Sequence, residues 1–119
     1  MLFRLDPARP VPLADQVAAN VRRGIADGTV APGERLPPAR ELAASLDVSI
    51  HTVLAGYQQL RDEDLIELRR GRGATVRDGV RSDRAVLLGL VHDLVAAARR
   101  IDLDEDELVA LVRSTASGP

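Results

Sequence analysis

Residues 36–76 read LPPARELAASLDVSIHTVLAGYQQLRDEDLIELRRGRGATV, and the spacing of the apolar residues within them decides the fold. Leu42, Ala43 and Leu46 share one face of a short helix from about Pro38 to Leu46, while Arg40, Glu41 and Ser45 face elsewhere. Asp47-Val48 makes a turn, and Ser49 can cap the next helix through its hydroxyl. In that helix Val53, Tyr57 and Leu60 recur at i, i+4 and i+7 and point to a core. His51, Ala55 and Gln58 then lie on the opposite side, with Thr52 and Gln59 on one flank and Ile50 and Leu54 on the other. The acids of Arg61–Asp64 oppose the helix dipole where this helix closes, and Asp64 suits a left-handed cap. Leu65 to Leu68 and Ala74 to Arg77 read as strands around Arg70-Gly71-Arg72-Gly73, a turn with two residues free to take positive φ.

Two helices joined by a tight turn and followed by an arginine-tipped hairpin form a winged helix-turn-helix, an arrangement suited to double-stranded DNA. The N-terminal part of the second helix of such a motif enters the major groove, which puts Ser49, Ile50, His51 and Thr52 closest to base edges. Ala55 is small enough to allow close approach and to touch a thymine methyl. The wing presents Arg70, Gly71 and Arg72, whose glycine neighbours let the backbone approach a phosphate or enter a narrow minor groove. An RGRG tip is by itself only a solvated hairpin, and His51 alone only a surface histidine. Their positions within this motif are what favour contact.

Upstream, residues 2–5 are expected to form a short strand, and Asp6 to Pro12, with three prolines, to be extended. Pro12 suits the first turn of a helix whose stripe is Leu13, Val17, Val21 and Ile25, with Gly28 as its stop. Arg22 and Arg23 near its end either solvate the helix or meet a phosphate. Thr29 to Pro38 is a loop with a turn at Pro32-Gly33, and Leu36 is its anchor onto the core.

Downstream, Asp78 to Asp83 is a linker, with Ser82 or Asp83 as an N-cap. The next helix carries Val86, Leu87, Leu90, Val91, Leu94, Val95, Ala98 and Ile101 over a face broader than a surface helix needs. Asp104 with Glu107 resembles a capping box that starts a last helix through about Arg113, and residues 114–119 are expected to fray. Two such helices cannot bury both apolar faces in a core of their own, so they must dock on the winged domain, as in a monomer, on another chain, or on both, and a second copy of the chain is the economical partner. The expected architecture is α+β: a winged helix-turn-helix DNA-binding domain at 1–77, a linker at 78–83, and a two-helix dimerisation tail at 84–119. The soft end of the last helix favours a complete chain over a fragment.

Composition narrows the function. Of 119 residues, 45% are hydrophobic and 29% charged, a globular composition for one domain with a small appendage. The chain has no Cys, which excludes disulfides and thiolate metal sites. No apolar run approaches the roughly 18 residues of a membrane helix, and the N-terminus lacks a signal-peptide core, so the expected location is cytoplasmic. Net charge is −2, yet residues 68–76 carry Arg69, Arg70 and Arg72 with no acid. A local positive patch is what counterion release requires, whatever the net charge. Only His51 and His92 could supply imidazole, on different helices, and no catalytic spacing or nucleotide loop accompanies them. Neither an enzyme nor a cofactor is expected, and half a metal site at His92 and Asp93 lacks two further ligands. The competing reading is a winged-helix protein-interaction module without sequence-specific DNA binding, which the sparse basic character of the third helix keeps open.

The sequence resembles the GntR family of bacterial transcription regulators over residues 11–77. The resemblance is carried by Gly28 through Pro32-Gly33, Leu36-Pro37, Arg40-Glu41-Leu42-Ala43, Val48-Ser49, Thr52-Val53, Tyr57, Leu60, Leu65-Ile66 and Arg70-Gly71-Arg72-Gly73. The short tail in place of a large effector domain looks like the YtrA-like branch. That resemblance implies a homodimer through the C-terminal helices, repression as the default action, and control of its own operon, often one encoding an ABC transporter. Carried over residue by residue, the family's DNA contacts fall on Arg40, Ser49, His51, Thr52, Arg70, Gly71 and Arg72. Ile50 and Leu54 stand where many members carry arginines that touch DNA, Ala55 where close relatives often carry a basic residue, and Asp64 where a glycine is usual. Affinity is therefore expected to rest on the wing, on Arg40 and on dimerisation. A small-molecule effector between the tail helices of two subunits is left open, since no polar constellation marks a pocket for it.

Overall fold

Pro12 sets the first helix: its backbone (φ −52°, ψ 142°) is extended, and its carbonyl accepts the first helical bond from Gln16. The computed structural model describes residues 3–118. Its elements are α1 (Leu13–Asp27), α2 (Ala39–Leu46), α3 (Ile50–Asp62), β1 (Ile66–Arg69), β2 (Gly73–Val76), α4 (Ser82–Arg100) and α5 (Glu105–Ala116). This is the expected α+β winged helix-turn-helix, five helices and a two-stranded antiparallel wing. Residues up to Gly89 form one compact unit and residues from Leu90 a second.

In the first unit the predicted stripes meet. Val17, Val21 and Ile25 of α1, Leu42 and Ala43 of α2, and Val53, Tyr57 and Leu60 of α3 are all buried, with Leu36 anchoring the loop between α1 and α2. Gly28 closes α1 in the left-handed region (φ 83°), and Asp64 takes the same conformation after α3 (φ 60°). Gly56 was not singled out by the apolar pattern, yet it is where α3 meets α1. A Cβ there would sit 2.9 Å from the Ala14 carbonyl oxygen and 3.0 Å from Val17 Cβ.

Two expectations about the N-terminal part are corrected. No strand forms at residues 3–5 (Leu2 lies outside the described residues). The Arg4 backbone pairs instead with the Asn20 side chain, whose amide accepts from Arg4 N and donates to Arg4 O, both at 3.0 Å. Arg22 neither solvates α1 nor is placed for a phosphate: its side chain is 3% exposed, and Nε donates to Glu63 Oε1 at 2.7 Å. That pairing also accounts for the acid at the end of α3.

The wing pairs in the register Ile66↔Val76, Glu67↔Thr75, Leu68↔Ala74 and Arg69↔Gly73. Gly71 (φ 77°) and Gly73 (φ 75°) take the positive φ expected of them. The loop before α2 adds a bridge on the outer edge of β2, Arg35↔Thr75, with Leu36 N donating to Ala74 O and Val76 N to Glu34 O. Val80 and Leu88 pack against this core and Ala85 is buried in it, as α4 begins at Ser82. Ser82 and Asp83 are thus both helical residues, and neither is the cap.

The second unit is simple. Asp102 turns the chain in the left-handed region (φ 56°), and Asp104 and Glu107 form the full capping box of α5. The helix continues to Ala116, three residues beyond the expected stop, and the Ser117 amide donates to Arg113 O (the fraying expected at 114–119 falls partly on Pro119, outside the described residues).

Candidate nucleic-acid interface

Ser49 begins the exposed face of α3. Its backbone is extended (φ −71°, ψ 152°), and its Oγ accepts the Thr52 amide at 3.1 Å. The two hydroxyls lie 3.0 Å apart, so Ser49 and Thr52 are locked together at the helix N-terminus. Such a cap satisfies one of the unpaired amides of the first turn and contributes about 1 kcal/mol. His51 and Ala55 are exposed one turn apart, and Gln58 continues the row. Ile50 turns partly into the core, while Leu54 stays 38% exposed on the flank.

Arg40 is exposed near the start of α2. Asp47, in the left-handed conformation (φ 56°), ends α2 and redirects the chain into α3. Tyr57 ties α3 to the entry of α2: its buried hydroxyl donates to the Pro37 carbonyl at 2.7 Å. Burial pushes that phenol well above the usual tyrosine range.

At the wing, Arg70, Gly71 and Arg72 are exposed, and the Arg72 amide donates to Arg69 O to close the tip. Among the described residues Arg40, Arg70 and Arg72 make no ion pair, which leaves their guanidinium groups available to an anion. Arg69 differs, with Nη2 3.0 Å from Glu67 Oε2 on the same strand. The positive patch read from the sequence is therefore narrower at its base than at its tip.

Sequence reasoning missed Arg35. It belongs to the loop bridged to β2, and its Nη2 donates to the Arg72 carbonyl at 2.7 Å. Its one local signal is its place directly before the anchor Leu36, and that names no partner.

With this geometry in place, comparison with known proteins becomes specific. The model of the bacterial regulatory proteins of the gntR family matches residues 13–76, which is α1 through β2. The chain belongs to the GntR family. This GntR chain is 32% identical over 105 residues to the HTH-type transcriptional regulator Rv1152 of Mycobacterium tuberculosis, covering 88% of this chain and 86% of the relative. It is 30% identical over 81 residues to the HTH-type transcriptional repressor YtrA of Bacillus subtilis, covering 68% and 62%. Among solved structures it is similar to YtrA from Sulfolobus acidocaldarius, a GntR-family transcription factor (31% identity, TM-score 0.63, covering 81% of this chain and 99% of that one). A longer relative is spanned over only 40% of its length. The YtrA likeness, in sequence and in structure, agrees with the branch read from the short tail. The GntR membership makes the chain a DNA-binding transcription regulator and not an enzyme. Among the described residues, no helix is long and apolar enough to cross a membrane, and no cluster of acids and histidines could hold a metal ion.

Proposed function

We propose that this GntR regulator is a repressor that binds a palindromic operator as a homodimer in the cytoplasm. The N-terminal half of α3 lies in the major groove, and the wing lies on the adjacent minor groove or backbone. The observation that carries the reading is the exposed row on α3 together with the exposed Arg40 on α2 and Arg70 and Arg72 at the wing tip, which make no ion pair among the described residues. In it His51 and Ala55 read base edges, Ser49 and Thr52 hold the helix start against the backbone, and Arg40, Arg70, Gly71 and Arg72 contact phosphates or the minor groove. Residues 1–77 serve as the DNA-binding part, 78–83 as the connection, and 84–119 as the dimerisation part.

The tail supports the dimer. Leu90, Val91 and Leu94 on α4 and Leu111 and Val112 on α5 are 42–59% exposed, apolar side chains a lone small protein rarely leaves to water in such number. Two linked heads also gain effective concentration that one small head lacks. The name of the B. subtilis relative supports repression. A small-molecule effector, if bound between the tails of two subunits, would act by changing the spacing of the heads.

The test is fluorescence anisotropy with the DNA upstream of the chain's own gene against a scrambled duplex, at several salt concentrations. The expected result is preference for the upstream duplex with a steep salt dependence. Equal, weak binding to both would favour a winged-helix protein-interaction module.

A further inference from the structure

The wing tip contains two glycines at positive φ and is exposed from Arg69 to Gly73, so little in the tip itself limits its motion. Beyond the Arg69↔Gly73 pairing that ends the ladder, two hydrogen bonds hold it. One is local, from the Arg72 amide to the Arg69 carbonyl at 3.0 Å. The other comes from 37 residues away, from Arg35 Nη2 to the Arg72 carbonyl at 2.7 Å.

The base of the Arg35 side chain is itself fixed. Its backbone bridges Thr75, the flanking residues exchange bonds with β2, and Leu36 beside it is 3% exposed in the core. A guanidinium carries five donors in a rigid fork, and this bond uses one of them. The peptide it holds is the one that follows the Arg72 Cα, so it limits the rotation that would swing the Arg72 side chain away.

From this geometry we infer that Arg35 is a positioning residue for DNA binding: it clamps the wing tip so that Arg72 is held ready for the duplex. The inference rests on the DNA docking proposed above. Without the clamp the tip must be ordered at the moment of binding, and that ordering opposes association.

The experiment uses the full chain with Arg35→Met, which keeps the apolar stem, and Arg35→Lys, which keeps the charge but replaces the planar fork. Operator affinity is measured for each variant in the wild-type and the Arg72→Ala backgrounds. Amide relaxation of Gly71 and Gly73 is followed by NMR in the free protein. Arg35→Met is expected to weaken operator binding roughly tenfold, to lower the Gly71 and Gly73 order parameters from a rigid value of about 0.85, and to leave the melting temperature unchanged. In the Arg72→Ala background the same substitution is expected to have little further effect, because its action runs through Arg72. Arg35→Lys is expected to restore only part of the order. The same fold-loss in both backgrounds, or unchanged glycine relaxation in Arg35→Met, overturns the clamp. Failure of the wild-type protein to prefer the operator would defeat the docking reading instead, and the relaxation measurement in the free protein would still decide the clamp.

Discussion

Arg22 on α1 and Glu63 just beyond the end of α3 form an ion pair of 2.7 Å between side chains only 3% and 14% exposed. Arg22 Nη2 also donates to Gln59 Oε1, and Gln59 Nε2 donates to Asp15 Oδ1 at 3.0 Å. The α3 helix is therefore tied to α1 by a polar network as well as by Val53, Tyr57 and Leu60. Breaking such a pair from one side leaves an uncompensated buried charge, at a cost of about 3–5 kcal/mol. Glu63→Gln is expected to fall near the lower end of that range in urea unfolding, because the amide can still accept one bond. The double variant Arg22→Met/Glu63→Gln should lose less than the sum of the single variants. Strict additivity would show that the pair does not couple the helices.

Gly56→Ala pits two effects against each other. An alanine gains about 1 kcal/mol of helix propensity over glycine. Its Cβ, however, would meet the Ala14 carbonyl oxygen at 2.9 Å and Val17 at 3.0 Å, and neither is the end of a flexible chain. Overpacking of this kind costs about 1–3 kcal/mol. The expected outcome is net destabilisation, measured as a lower denaturation midpoint with an unchanged slope.

Tyr57 gives the chain an alkaline signature of its own. There is no Lys or Cys and only one Tyr, so no other non-arginine side chain titrates near pH 10. The folded state holds this phenol neutral above its usual range, while the unfolded chain ionises near pH 10. The stabilisation is therefore complete below about pH 10 and declines by about 1.4 kcal/mol per pH unit above it. Tyr57→Phe should lose about 1 kcal/mol at neutral pH with the bond to Pro37. It should also show a flatter stability profile between about pH 10 and 11. An equally steep fall in the variant would assign the alkaline transition elsewhere.

Arg72 and His51 should separate affinity from specificity. Arg72→Ala is expected to weaken binding to every duplex and to reduce the salt slope by about 0.9. His51→Ala should leave that slope unchanged and alter the preference among operator variants, at about 1–3 kcal/mol for the base pair involved. Salt-titrated anisotropy with a panel of duplexes checks both, and a uniform loss in each variant would remove His51 from base readout.

Leu90 and Leu94 lie one turn apart on α4 and are 59% and 42% exposed. Leu90→Asp/Leu94→Asp should give a monomer in sedimentation velocity and a marked loss of operator affinity, with the helical content of the head retained. A variant that still sediments as a dimer would move the interface away from this face.

Much of the fold was legible because it is written in short-range spacing. The i, i+4, i+7 row of Val53, Tyr57 and Leu60, the Ser49 cap, the Gly28 stop, the Asp104–Glu107 capping box and the two wing glycines each involve residues within about two turns of one another. Local geometry at those distances allows few alternatives. The N-terminal strand failed for the complementary reason. A strand requires a partner edge, and the Asn20 amide occupies the backbone groups that an edge would have used. The candidate site divides the same way: the exposed row on α3 follows from helical phase, whereas the neutralisation of Arg69 by Glu67 depends on how the side chains settle on the strand.

By itself, then, the amino-acid sequence determined the order of the elements, the faces of the helices, the turn chemistry of the wing and the family. Periodicity and capping act within one element and need no knowledge of the rest of the chain. The tertiary structure decided the role of Arg22, the close approach at Gly56, and the reach of Arg35 to the wing tip. Arg22 meets Glu63 across 41 residues and Arg35 meets Arg72 across 37. Over such separations an arginine has many acids and carbonyls to choose from, and only the packing of α1 against α3, and of the loop against β2, selects one.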